Sequence, residues 1–332
     1  MTCSDRAGAR GLCLTAGIIG PAASTALAPE AMARPGCGLH VHSVFPSTIN
    51  LTVDGSDFLV SLTGPEGEAF PHAVALRSTV DFRSLQLAVG DPGRLVGGCL
   101  RLKTKEGTVS VDIQTAARPI RRVLPTLSVY DRGGSFSAAA HRLVGCQAAI
   151  VSDLRIDAIV DGAYDRGRTL PGLGAALCRA ACALLSDVRP AASPMDRRGC
   201  ISRHVSALLG AGRGLTPSGD DFLCGFLAAA RSSRPPDNRM LLAAQNVDAA
   251  VCESIEEGIA STGDVSATLL RLAIAGFWPG PLAALADGFA LGERQTTREA
   301  LDELCAIGHS SGADIATGFL AGHSVFLNGD VS

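Results

Sequence analysis

A glycine-rich loop runs directly into a predicted helix in the second half of the chain. Gly210, Gly212 and Gly214 permit positive φ angles and a close approach of the backbone to a ligand. Ser218 fits the N-cap of the following helix, and Asp221 three residues later completes a capping-box-like pair. Because unbonded N–H groups and the helix dipole both attract negative charge, this stretch predicts a site for a phosphate or carboxylate group.

The same helix start occurs twice. Residues 311–320 align without a gap on residues 218–227, and both copies keep Ser-Gly-x-Asp followed by Gly-Phe-Leu. The shared mid-helix glycines, Gly225 and Gly318, are unfavourable for a helix unless two backbones pack closely, so we expect the two helices within about 20 Å of each other. Only the first copy carries a second acid, Asp220, where the second copy has alanine, so Asp220 is the strongest candidate for chemistry.

Other polar residues around the two helix starts complete the candidate site. Arg213 lies between two glycines, and its planar guanidinium suits a phosphate or carboxylate. His309 precedes the second helix start, where it fits an acid–base role as well as an ordinary surface position. The candidate catalytic residues are therefore Asp220, His309 and Arg213. The candidate substrate- or phosphate-binding residues are Gly212, Gly214, Thr216, Ser218, Gly219, Asp221, Ser310 and Ser311.

Structural explanations of the same acids stay open. Asp220 and Asp221 also fit first-turn acids that complement the helix dipole, and a Mg²⁺ ion on Asp220 beside a phosphate is a further option. Adjacent helical residues do not share a face, so the two carboxylates are not expected to meet one ligand. If Asp220 serves chemistry, Asp220→Ala should remove activity while changing stability by no more than about 1 kcal/mol. Asp314→Ala should do the reverse.

Three motifs carry a resemblance to a known family. They are Gly-Leu-Thr-Pro-Ser-Gly-Asp-Asp-Phe-Leu at 214–223, Ile-Gly-His-Ser-Ser-Gly-Ala-Asp at 307–314, and His42-Ser43-Val44-Phe45 with Asn50-Leu51. They resemble the AllH family, once catalogued as a domain of unknown function, which includes a subunit of oxamate carbamoyltransferase from anaerobic allantoin breakdown. The resemblance extends over roughly residues 36–322, with a less regular match at 261–266.

The resemblance implies a subunit of an oxamate carbamoyltransferase-like complex in purine catabolism. Such a complex exchanges a carbamoyl group between an oxalurate-type ureido acid and phosphate, and the implied partners are an acyl-CoA-synthetase-like subunit and a second family-specific subunit. The reaction needs two small anionic substrates held in line and no protein nucleophile. The alternatives are a non-catalytic ligand-binding or scaffold subunit, and a Mg²⁺-dependent phosphate-ester or nucleotide-binding enzyme.

Composition excludes several other classes of protein. The 332 residues are 47% hydrophobic and 18% charged, a balance typical of globular proteins. A net charge of −3 without a dense basic run argues against nucleic acid and anionic membranes as partners. Eleven cysteines without a CxxC pair indicate reduced thiols in a cytoplasmic protein. No apolar run reaches the ~18 residues of a membrane span.

The hydrophobic periodicity predicts an α+β protein with segregated parts. Residues 36–130 are predicted to form a β-rich domain, an antiparallel sheet or a small barrel. Residues 131–332 are predicted to form a mostly α-helical domain that carries both Ser-Gly-x-Asp helix starts. Residues 1–35 are expected to form a poorly ordered leader, because glycines and a proline interrupt their apolar run. The strands are expected at 39–45, 58–62, 85–89 and 108–113, and the helices at 138–150, 174–185, 201–209, 221–230, 239–258, 266–275, 281–291, 297–306 and 314–321.

Overall fold

The structure, a computed structural model, describes residues 11–28, 38–127, 139, 173–188, 197–234 and 238–327. The chain divides into two compact units. The barrel unit comprises residues 1–122 and 277–280, and the helical unit comprises residues 123–276 and 281–332. Apart from Ala139, the helix expected at 138–150 lies outside the described residues. A β-rich first part followed by a helical second part confirms the α+β class.

Eight strands in the barrel unit close into a barrel in the order β1-β5-β4-β3-β2-β6-β7-β8. Neighbouring strands are antiparallel except for the parallel pairs β1–β8 and β4–β5. A short helix, α1, spans Pro21–Ala26. The strands are β1 Gly11–Ile19, β2 Leu39–Val44, β3 Thr48–Val53, β4 Val60–Thr63, β5 Ala73–Leu76, β6 Pro92–Val96, β7 Cys99–Lys103 and β8 Thr108–Asp112.

Alternating side chains fill the barrel interior. On β3, Ile49, Leu51 and Val53 belong to the buried apolar core, and the residues between them point to the other face. Gly97 and Gly98 connect β6 to β7 with φ angles of 55° and 71°. Two consecutive positive φ angles are the requirement of a type I′ hairpin turn, which explains the glycine pair.

Two sequence expectations are wrong in the barrel unit. The leader assigned to residues 1–35 contains β1 and α1, and β1 closes the barrel by pairing with β5 and β8. These partners are distant in sequence, so local pattern did not reveal them. The strand expected at 85–89 is also absent, because a 3-10 helix at Phe82–Leu85 is followed by Gln86 with a φ of 55°. Leu85 and Leu87 still join the core, without forming a strand.

Helices build the described part of the C-terminal unit, as the 3.6-residue periodicity predicts. None of the helices among the described residues combines the length and the apolar character needed to cross a membrane. A 3-10 turn at Ile259–Ser261 separates α5 from α6. The helices are α2 Leu173–Asp187, α3 Arg197–Leu208, α4 Ser218–Ser232, α5 Asn238–Gly258, α6 Asp264–Ile274, α7 Gly280–Leu291, α8 Arg294–Cys305 and α9 Ser311–Leu327.

The two repeated helices, α4 and α9, pack side by side and run in the same direction. At their N-terminal ends, the hydroxyls of Thr216 and Ser311 lie 2.7 Å apart. At the C-terminal end of α4, the two ring nitrogens of His323 lie 3.0 Å from the Ser232 hydroxyl and 2.8 Å from the Ser233 hydroxyl. Contacts at both ends therefore fix a parallel pair.

The mid-helix glycines make this pairing possible. A Cβ atom placed on Gly225 would lie 1.9 Å from the carbonyl oxygen of Ile315, and one on Gly318 would lie 2.0 Å from that of Phe222. Real Cβ atoms do not approach oxygen so closely. The two backbones can therefore touch only because positions 225 and 318 are glycines, which have no side chain. The expected proximity of the two helix starts is confirmed.

Replacing Gly225 by alanine should therefore destabilise the helical unit, since the added methyl group must push α9 away from α4. We expect a loss of about 1–3 kcal/mol in the free energy of unfolding, the usual range for overpacking. Gly263→Ala is the control, because no atom lies within 4 Å of a Cβ atom at that position. Urea denaturation of both variants measures the difference. Equal stability of the two variants would contradict the proposed backbone contact.

Candidate functional site

Two loops lead into the paired helix starts. In the loop between α3 and α4, residues 209–217, all three predicted glycines have positive φ: 68° at Gly210, 138° at Gly212 and 97° at Gly214. A Cβ atom on Gly210 would lie 2.4 Å from the Ser261 carbonyl oxygen, and one on Gly212 would lie 2.5 Å from a backbone nitrogen within the same loop–helix junction. Gly214 has open space around it. The first two glycines therefore permit close packing, and the third leaves room beside the loop.

The start of α4 differs from the predicted capping arrangement. Pro217 occupies the N-cap position, Ser218 is the first helical residue, and no side chain caps the helix. The capping role expected for Ser218 is therefore wrong. The carbonyl oxygen of Pro217 accepts the N–H groups of Asp220 and Asp221 at 3.0 and 3.1 Å, so the first turn satisfies its own backbone.

Gly219 has a packing role at this junction. Its N–H donates to the Ala211 carbonyl at 2.9 Å, and a Cβ atom there would lie 2.0 Å from the Leu208 carbonyl oxygen. Its amide is therefore already used inside the protein. Gly312, the equivalent glycine of α9, would likewise place a Cβ atom 1.6 Å from the Leu304 carbonyl oxygen. Both glycines let a helix start pack against the end of the preceding helix.

The loop keeps a group of backbone N–H donors. Within the described part of the chain, no hydrogen bond uses the N–H groups of residues 212–216 or of Ser218. Arg213 and Gly214 are exposed at the same place, and Thr216 is half-buried. Successive backbone amides beside a helix N-terminus can bind an anion, so anion binding at residues 212–218 stays a prediction.

Asp220 is fully engaged in holding this loop. Its side chain is 1% exposed. One carboxylate oxygen accepts the N–H of Gly210 at 2.8 Å, and the other accepts the hydroxyls of Thr262 and of Ser266, the latter at 2.6 Å. The expectation that Asp220→Ala is a surface-like change is therefore wrong. Asp220 ties the glycine loop to the start of α6.

The residues around Asp220 do not fit a Mg²⁺ ion. Both carboxylate oxygens face N–H or O–H donors, whereas a cation needs oxygen atoms that are free to coordinate it. In the part of the chain that the structure describes, no group of three or more His, Cys, Asp or Glu side chains is placed to hold a metal ion.

Asp221 keeps an unused hydrogen-bonding oxygen atom in this cluster. It is 1% exposed, and its Oδ2 atom is buried without a hydrogen-bond partner. Burial away from water raises the pKa of Asp221 well above its usual range, and the nearby charges of Asp314 and Asp220 raise the pKa further. Hydrogen bonds from Ser311 and Thr216 oppose this rise in the pKa. The net effect favours a protonated, neutral carboxyl group.

The structure thus brings together some predicted residues and separates others. The hydroxyls of Thr216 and Ser311 contact each other and both form hydrogen bonds with Asp221. Asp220 is the preceding residue in the chain. His309 is exposed, and none of the hydrogen bonds among the described residues links it to this cluster. Ser310 is half-buried, and Ser218 is buried at the base of the loop.

Sequence reasoning missed three members of the cluster. Thr262 and Ser266 bind Asp220, and they belong to the irregular motif at 261–266 that the family resemblance had singled out. Their separation from Asp220 in the chain hides the contact from any local pattern. Asp314, interpreted only as a capping residue, is completely buried and acts electrostatically on Asp221. The internal repeat, which aligns Asp314 with Asp221, was the sequence feature that could have indicated a place for Asp314 in this cluster.

Fold and site together define an α+β protein with a glycine-rich loop of unbonded amides and buried acids at a pair of parallel helix N-termini. The family model described as oxamate carbamoyltransferase subunit AllH matches residues 208–323, and the model of the AllH family N-terminal domain matches residues 21–118. The chain belongs to the AllH family. No solved structure matches the chain.

The hydrogen bonds of Asp220 predict a structural effect of its removal. Asp220→Ala leaves the buried hydroxyl of Ser266 and the Gly210 N–H without their acceptor, and we expect a loss of about 2–3 kcal/mol in the free energy of unfolding. Asp264→Ala, at an exposed first-turn acid of α6, is the matched control and should change stability by about 1 kcal/mol or less. Urea denaturation compares them. If the two variants prove equally stable, Asp220 does not hold the loop.

The raised pKa of Asp221 predicts a pH-dependent difference between the wild type and Asp221→Asn. Below about pH 4 the carboxyl group is protonated in both folded and unfolded chains, so its full contribution to stability is present. As pH rises towards the raised folded pKa, the unfolded chain releases the proton first and this contribution is lost. The Asn variant has no such proton, so its melting temperature should rise relative to the wild type between pH 4 and 8. Asp264→Asn, at an exposed site, is the control substitution. A parallel pH dependence of the wild type and Asp221→Asn would contradict a raised pKa.

Proposed function

We propose that this chain is a subunit of an oxamate carbamoyltransferase-like complex and contributes to the carbamoyl-transfer site. The reaction exchanges a carbamoyl group between an oxalurate-type ureido acid and phosphate. Membership of the AllH family supports the reaction class. One observation supports the site most directly. The backbone N–H groups of residues 212–216 and of Ser218 form no hydrogen bond, and the carboxyl group of Asp221, at the start of the same helix, is buried with one oxygen atom unpaired.

The loop amides and Arg213 are proposed to hold phosphate. Two parallel helices start here, so their dipoles add positive potential at one place. Arg213 is exposed and can present its guanidinium to a phosphate or carboxylate as a bidentate donor. Asp220 acts as a positioning residue, because it fixes Gly210 at one end of this loop.

Asp221 is proposed to recognise the ureido group. A neutral carboxyl group both donates and accepts a hydrogen bond, which matches the C=O and N–H groups of an amide or ureido substrate. Thr216 and Ser311 orient the carboxyl group through their hydroxyls. As negative charge develops on the carbonyl oxygen of the substrate, the proton of Asp221 stabilises it.

The proposed reaction needs no covalent intermediate on the protein. A phosphate oxygen attacks the carbamoyl carbon, the bond between that carbon and the oxamate nitrogen breaks, and the nitrogen takes up a proton to leave as the amide. His309 is exposed near the second helix start and is proposed as the proton carrier, with Ser310 and Ser311 beside it. The proposed partners are an acyl-CoA-synthetase-like subunit and a second family-specific subunit.

The near-complete burial of Asp221 favours one rival, a scaffold or ligand-binding subunit without chemistry of its own. In that case the buried acids only order the paired helix starts. The rival predicts that variants of exposed loop residues leave the activity of the assembled complex unchanged. The two proposals therefore differ at Arg213, which no described contact requires for folding.

The test is carbamoyl phosphate formation from an oxalurate-type substrate and phosphate by the complex assembled with its partner subunits. Arg213→Ala should lower kcat/KM by about 10–100-fold, mainly through KM for phosphate, which corresponds to about 1.5–3 kcal/mol for bonds to a charged group. Arg213→Lys should recover part of this loss. The control is Arg203→Ala, at an exposed position on α3. A fully active Arg213→Ala complex would support the scaffold alternative and refute the assigned site.

A further inference from the structure

An unusual pair of arginines lies on the outer face of the barrel. In the register of β6 and β7, Arg94 is directly opposite Arg101. Directly opposed residues of an antiparallel pair project from the same face, with their Cβ atoms about 5 Å apart. Because their neighbours Leu95, Leu100 and Leu102 pack in or against the barrel core, both arginines project outward. Two like charges at this separation destabilise a sheet unless something compensates them.

The described surroundings of the two arginines do not supply that compensation. Among the described residues, no salt bridge or hydrogen bond engages the side chain of Arg94 or of Arg101. The Nε atom of Arg101 is buried and has no hydrogen-bond partner. A buried donor of a charged group left without an acceptor is costly, so this arrangement indicates that an acceptor belongs there.

A third polar group extends the same row. Ser110 on β8 is directly opposite Arg101 on the other side of β7, and it is buried. Neighbouring strands are about 4.8 Å apart, so Arg94 and Ser110 flank Arg101 within about 10 Å. Lys103, two residues beyond Arg101 on the same face of β7, adds a further positive charge. The row therefore offers two guanidinium groups and a hydroxyl to one small ligand.

We propose that Arg94, Arg101 and Ser110 form an oxyanion site on the barrel, separate from the anion-binding loop of the helical unit. Guanidinium groups bind carboxylate and phosphate through paired N–H donors, and two adjacent arginines favour a group with more than one negative charge. The class of ligand is thus a small phosphate- or carboxylate-bearing anion. The ligand also explains the register, since an anion between the arginines converts their repulsion into attraction.

The test uses thermal unfolding of the full chain in the Arg213→Ala background, which weakens the loop site in the helical unit. Inorganic phosphate is added at constant ionic strength, balanced with sodium chloride. A bound anion raises the melting temperature in a saturable way. We expect a saturating rise of several degrees in the melting temperature. In Arg94→Met and in Arg101→Met, the apparent affinity for phosphate should be at least tenfold lower. The control is Arg83→Met, at an exposed arginine of the same unit, which should keep the full response.

Stability without phosphate gives an independent readout. In phosphate-free buffer, Arg101→Met should be at least as stable as its parent, because it removes the like-charge contact and the buried unpaired donor. A saturable phosphate response that survives Arg101→Met would overturn the proposal, as would a rise that chloride reproduces. A marked loss of stability for Arg101→Met in phosphate-free buffer would also overturn it, because the arginine would then be compensated within the protein. Malonate in place of phosphate distinguishes a dicarboxylate from a phosphate ligand, and saturable binding of either one supports the site.

Discussion

The direct backbone contact between α4 and α9 is the constraint on which the candidate site depends. Gly225 and Gly318 allow each helix to touch carbonyl groups of the other, which no side chain at either position would permit. Because the helices are parallel, the contact also brings their N-termini together. Thr216 and Ser311 then meet at 2.7 Å. The site at the helix starts is a consequence of a packing interaction two turns further along.

This pairing buries several carboxyl groups close together, which is unfavourable, and two different arrangements offset the cost. Asp220, Asp221 and Asp314 are all buried near the same two helix starts. Three hydrogen-bond donors contact Asp220 and offset the cost of burying its polar side chain. Asp221 receives weaker compensation from two hydroxyls, and its raised pKa favours the neutral form. The two adjacent acids therefore differ in their bonding, because hydrogen bonds occupy both side-chain oxygen atoms of Asp220, whereas the Oδ2 atom of Asp221 has no hydrogen-bond partner.

Structural features that follow from a repeated motif or a regular hydrophobic spacing could be predicted from the sequence. The repeated Ser-Gly-x-Asp motif predicted the helix contact, and the 3.6-residue spacing predicted the helices of the described C-terminal unit. Contacts between distant residues could not be predicted in this way. Thr262 and Ser266 lie 42 and 46 residues from Asp220, and β1 pairs with strands much later in the chain. For that reason the local pattern predicts a chemical role for Asp220 and a poorly ordered leader where the first strand lies.

The difference between the two copies of the motif has a structural explanation. The loop before α4 spans residues 209–217, whereas the loop before α9 spans only residues 306–310. A longer loop has more conformations to lose, so it needs an additional anchor to hold one of them. Asp220 provides that anchor through Gly210, and the second copy, with a shorter loop, has alanine at the equivalent position. The acid that distinguishes the first copy therefore preorganises the amides of residues 212–216, and preorganised donors are what binding a phosphate in a fixed position requires.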